Sequence, residues 1–190
     1  MWGAEGRSGG AAPHRSAPRR SAFRDEGGGA AVAFALLLPL LLGISLGIVE
    51  TAGLLLDYHR AGEATRRAAR AAVIGQPVAN LSALAAGRTV ACTGGASVTC
   101  TGGAVTNAAA FAAILAEMRA IHPGITGERV TIEYRPSGIG DPSSPGGLLP
   151  LVGVRLSGLR HGFSAFGVVP GLPAAVTLPD FATSTLGHGV

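Results

Sequence analysis

The sequence contains no lysine, so its formal charge of +4 and pI near 10.0 come from arginine alone. These arginines are dispersed, and aromatic residues make up only 5% of the chain. No basic face is interleaved with stacking side chains, which argues against nucleic-acid binding. Charged residues are also scarce, at 14% against 47% hydrophobic, with a mean hydropathy of +0.40. That balance is too apolar for an ordinary soluble domain and too polar for a multi-span protein. The five histidines, His14, His59, His122, His161 and His188, are scattered, without His-x-x-x-His spacing or an adjacent carboxylate cluster. Neither a metal site nor a general base is expected from them. No serine lies in a Gly-x-Ser-x-Gly elbow, and the glycine stretches at 27–29, 94–95 and 102–103 lack the Lys of a phosphate loop. The chain therefore reads as a non-enzyme with no cofactor and no small-molecule substrate.

What is present is one long apolar run, Gly29 to Leu56, behind an arginine-rich leader. As a helix it spans about 40 Å, more than the ~30 Å that a bilayer core requires. The run is longer than a secretory h-region, and its 28-residue leader is long for an n-region, so retention in the membrane is expected. Arg7, Arg15, Arg19, Arg20 and Arg24 precede the run and favour a cytoplasmic N-terminus, although Arg60, Arg66, Arg67 and Arg70 follow it. Cys92 and Cys100 bracket a Thr/Gly/Ser-rich segment. Closing so short a loop by a disulfide stabilises a fold by about 2–3 kcal/mol in the loop-entropy model. Such a bond persists outside the cytosol, which places the C-terminal part there; two free thiols are the alternative.

The organisation follows from composition. Residues 1–28, rich in Gly, Arg, Ser, Pro and Ala, read as a disordered basic leader. Residues 29–56 form the transmembrane helix, with Pro39 tolerated inside it. An amphipathic extension covers 57–75, supported by the Glu63–Arg66 and Glu63–Arg67 spacings and stopped by Gly75 and Pro77. Residues 76–190 form the remaining domain, and ~130 residues beyond the run suffice for one small core. Within it, 76–104 reads as loop, and Asn107 caps a second helix that ends before Pro123. Val130, Ile132 and Tyr134 alternate as a strand, as do Val152, Val154 and Leu156. A flexible loop over 137–147 separates them, and 174–179 reads as a third strand. The expected class is α+β, a helix leaving the membrane and packing on a small antiparallel sheet.

The order Gly28-Gly29-Ala30-Ala31-Val32-Ala33-Phe34-Ala35-Leu36, then Pro39, then Leu46-Gly47-Ile48-Val49-Glu50, resembles the TadE-like proteins of tight-adherence pilus systems. The Ala/Arg-rich stretch Thr65 to Ala71 and the tail Val176 to Thr183 are similar to that family as well. The resemblance implies a pilin-like periplasmic domain and a single-pass protein of the bacterial inner membrane. It also implies cleavage by a prepilin peptidase between Gly28 and Gly29. Its expected partners are that peptidase, other pilus subunits, the inner-membrane assembly proteins and the lipid bilayer. Ala33 stands where the family has Glu, a carboxylate that in pilin-like proteins neutralises a neighbour's N-terminal amine. Without it, a membrane-held assembly factor or an initiating subunit fits better than a filament-core subunit. Glu50 matches the second family acid, and either pairs with a basic group on a neighbouring helix or is hydrated at the interface. Gly43 and Gly47 form a Gly-x-x-x-Gly pair that permits close helix approach, or are ordinary membrane-helix glycines. The rival reading is a signal-anchored periplasmic scaffold or binding domain that never enters a pilus.

Overall fold

The computed structural model describes residues 26–141, 148–168 and 170–187. The leader arginines, His14, His188 and the 142–147 part of the expected loop lie outside the described residues.

Helix α1 runs unbroken over Glu26–Ile74 with Pro39 inside it. It begins three residues earlier than the apolar run suggests, and it ends at Ile74, just before the Gly75 and Pro77 stop signals. The chain divides into two compact units, one ending at Leu42 and the other beginning at Gly43. In the first unit, every described residue from Gly28 onward is exposed, including Val32, Phe34 and Leu36. A helical surface so apolar is unstable in water, and this is the helix long and apolar enough to cross a membrane.

The second unit is built on a five-stranded antiparallel sheet in the order β2-β1-β3-β4-β7. Its strands are β1 (Val90–Thr93), β2 (Thr99–Thr101), β3 (Val130–Gly140), β4 (Leu148–Leu156) and β7 (Phe181–Leu186). The period-2 alternation of β3 and β4 lays Ile132 opposite Val154 and Tyr134 opposite Val152, and all four side chains are buried. Helix α2 (Ala108–Ile121) starts as expected, with the Asn107 side chain accepting the Ala110 N–H at 3.0 Å. It contributes Phe111, Ile114 and Met118 to the core. The upper part of α1 adds Ala61, Ala64, Ala68 and Ala72, one helical stripe of small side chains. Mixed α+β, with a long apolar N-terminal helix and a small antiparallel sheet, is the architecture.

Several local expectations need correction. Residues 76–104 are not plain loop. They hold a short 3-10 turn over Ser82–Ala86 and the β1–β2 hairpin, in which Cys92 faces Cys100 and the two are disulfide-bonded. The first part of the 137–147 loop belongs to β3 as far as Gly140. The expected third strand exists as β6 (Ala175–Thr177), but it pairs with β5 (Arg160–Gly162) in a separate two-stranded sheet. The fifth strand of the main sheet is β7 instead. Glu63 meets Arg66 at 3.7 Å and Arg70 at 3.4 Å, while Arg67 reaches across to Glu117 of α2 at 2.7 Å. Arg67 thus pairs with Glu117 rather than with its expected i,i+4 partner Glu63.

Tyr134 ties the sheet to the segment after α1. Its hydroxyl oxygen accepts the Val78 N–H at 3.1 Å, and its side chain is buried. Burial raises its pKa above the ordinary 10.0, partly offset by that hydrogen bond. The unfolded chain therefore loses this proton first as pH rises, so the contribution of the neutral phenol is intact below about pH 10 and declines above it. With no lysine titrating in the same range, thermal melts followed by circular dichroism should show a flat midpoint up to about pH 9.5 and a fall beyond it. Tyr134→Phe should lose most of that slope.

Candidate functional site

The face of α1 that carries the alanine stripe continues toward the N-terminus through Gly47, Glu50, Gly53 and Asp57. Opposite these residues lies a flap made of β5, the short 3-10 turn Phe166–Val168 and β6. Phe166 packs on Gly47, where its Cζ would lie only 3.1 Å from an added Cβ, so the glycine makes room for the ring. His161 lies similarly over Gly53, with its Cε1 3.6 Å from where a Cβ would stand. His161, Phe163 and Phe166 form an edge-to-face series, with ring centroids 5.3 and 6.1 Å apart.

Two acids hold this flap. Glu50 Oε1 accepts the Ala165 backbone N–H at 2.5 Å. Its other oxygen, Oε2, is buried without a hydrogen-bond partner among the described residues. About two turns further on, Asp57 Oδ2 lies 2.7 Å from His161 Nδ1, and Oδ1 lies 3.7 Å from His122 Nε2. His122 stands at the C-terminal cap of α2, where its Nδ1 accepts the Gly124 N–H at 3.2 Å. That acceptor role places the ring proton of a neutral His122 on Nε2, the atom facing Asp57. Asp57 thus joins α1, α2 and the flap.

The histidines that look unconnected in sequence are partly brought together: His122 and His161 converge on Asp57, whereas His59 is exposed. Sequence reasoning missed this site because its members are 65 and 104 residues apart, and no local spacing marks them. Among the described residues, no group of three or more His, Cys, Asp or Glu is placed to hold a metal ion. The arrangement fastens α1, α2 and the flap by polar contacts.

The remaining candidate residues occupy three regions. Gly28, Gly29, Val32, Ala33, Phe34 and Pro39 all lie on the exposed part of α1. Gly43 has open space beside it, while its partner Gly47 is covered by Phe166 of the same chain. Cys92 and Cys100 lie in the hairpin at the β2 edge of the main sheet, not on the α1 face.

Residues 28–70 match the family model described as TadE-like protein. The matched segment contains the exposed apolar helix, Glu50 and Asp57, and stops within the alanine stripe. No curated protein matches the chain, and no solved structure does. The TadE-like match suggests involvement in tight-adherence pilus assembly, and the apolar helix is consistent with anchoring in a membrane.

Proposed function

We propose that this chain is a non-enzymatic, minor pseudopilin-like protein of the bacterial inner membrane, acting in the assembly of a tight-adherence pilus. A prepilin peptidase removes its leader between Gly28 and Gly29, leaving the N-terminus cytoplasmic and the sheet domain periplasmic. The observation that carries this reading is the TadE-like match over 28–70, which covers the exposed apolar helix. The candidate cleavage point is favourable in physical terms. Gly27, Gly28 and Gly29 lie in the first turn of α1, and each glycine costs a helix about 1 kcal/mol relative to alanine. That turn opens at small cost, as a protease that binds extended backbone requires.

Ala33 leaves Glu50 as the first ionisable residue after Gly28. The helix then offers neighbours and lipid an apolar surface with no buried charge to match. This favours a membrane-held assembly factor, or an initiating subunit, over a subunit inside the filament core. The helix works through lateral packing and the periplasmic domain through contacts with other assembly proteins. Intact-mass measurement of protein purified from membranes should give an N-terminus at Gly29. A mass retaining the leader would count against peptidase processing and favour a simple signal-anchored scaffold.

A further inference from the structure

The apolar stretch of α1 is longer than a bilayer needs, and the flap sits on its surplus. Twenty residues, about 30 Å of helix, cross a hydrocarbon core, and twenty counted from Gly28 end at Gly47. Beyond Gly47 the helix remains apolar to Leu56, with Ile48, Val49, Leu55 and Leu56 exposed. The single ionisable residue in that interval is Glu50, fastened to the flap backbone.

Two apolar furrows run along this surplus. One, about 410 Å³, is lined by Ile44, Gly47, Ile48, Thr51, Leu55 and Phe166. The other, about 260 Å³, lies between Thr51, Leu54, Leu55 and Tyr58 of α1 and the Val176–Pro179 segment. They share Thr51 and Leu55, and among the described residues no charged side chain lines either. On the flap itself, Leu172 and Val176 are exposed. Just beyond this level the chemistry changes. Tyr58 is exposed, Arg60 follows on the helix, and Arg160 opens β5; both arginines are exposed. Neither forms an ion pair among the described residues. Apolar surface, then a tyrosine, then unpaired arginines is the sequence of environments met on leaving a bilayer for its phosphate layer.

We propose that the flap, described over residues 160–168 and 170–179, is a membrane-seated collar. It lies in the interfacial layer of the bilayer, with lipid acyl chains filling the furrows beside Phe166 and Tyr58, and Arg60 and Arg160 meeting lipid phosphates. Continuity with the apolar helix and complementarity of charge select lipid over a second copy of the chain as the occupant. The proposal rests on the membrane-anchored reading of α1, and its test separates the two.

Trp2 is the sole tryptophan, so Trp2→Phe gives a silent background into which Phe166→Trp is introduced. The full chain is reconstituted into phosphatidylcholine–phosphatidylglycerol vesicles, with or without bromine on the acyl chains. A parallel variant carries Val105→Trp, on an exposed residue bridged to Ala79 beyond the far end of α1. Brominated lipid should cut emission of the Phe166→Trp protein by about half and leave that of the Val105→Trp protein nearly unchanged. Leu172→Trp, at an exposed flap position, should be quenched likewise, and serves if the larger ring at 166 disturbs folding. Chains that float with the vesicles while the flap tryptophans are quenched no more than the one at 105 would overturn the collar and leave the anchor standing. That outcome includes a flap covered by a second copy of the chain. Chains that do not float would overturn the anchor, and the collar with it.

Discussion

Asp57→Ala should cost the domain about 2–3 kcal/mol, because it removes a carboxylate that fastens the flap to α1 and faces α2. The Asp57 side chain is 27% exposed and both histidines only 14%, so solvent does not replace the lost acceptor freely. Thermal unfolding in detergent should show the lower midpoint, and limited proteolysis should cut the flap between β5 and β6 before the main sheet. Asp57→Asn should do less damage, because its amide oxygen still accepts from one histidine. An alanine variant as stable and as protease-resistant as the parent would remove Asp57 from the account of how the flap is held.

The second large effect concerns the β1–β2 hairpin. Each of its strands is only three or four residues long, and β2 is the edge of the sheet. Pairing so short does not hold a hairpin on its own. The Cys92–Cys100 bond closes it across directly facing positions, and in the loop-entropy description contributes about 2–3 kcal/mol. Replacing both cysteines by serine should lower stability by that amount, measured by denaturant titration. The buried position of Cys92 adds to the loss, since serine there brings a hydroxyl into the core. Reduction of the parent protein should reproduce most of the effect, and a double variant unchanged in stability would show that the sheet holds the hairpin unaided.

These two sites mark the boundary of what the sequence makes legible. Helix α1 is visible because an unbroken apolar run has few other uses, and α2 because Asn107 caps an alanine-rich segment closed by Pro123. Strands β3 and β4 show themselves by alternating large apolar residues that face a core. Strand β7 does not, because its inward positions include Thr183 and Thr185 and so carry no apolar alternation. The hairpin is hidden for a related reason, as Thr, Gly and Ser favour a turn whether or not strands flank it. The flap is the least legible part. Its place is set by Glu50 and Asp57 reaching residues more than a hundred positions away, and no local pattern encodes such a contact. Glycines 47 and 53 illustrate the same point. In sequence Gly47 pairs with Gly43 as a helix-packing motif, whereas in the fold Phe166 of the same chain occupies the space it provides.

The physical picture is of one helix face used in two ways. Above Asp57, small alanines pack into the core of the domain; below it, glycines and two acids receive a flap. N-terminal to the flap the helix is exposed and apolar, as a membrane anchor would be. That division is consistent with a membrane-anchored protein.

Action in pilus assembly can be read from surface pili counted by electron microscopy in a strain deleted for this chain. Pili should be lost in that strain and return when the full-length chain is supplied in trans. Normal piliation in the deletion strain would contradict it.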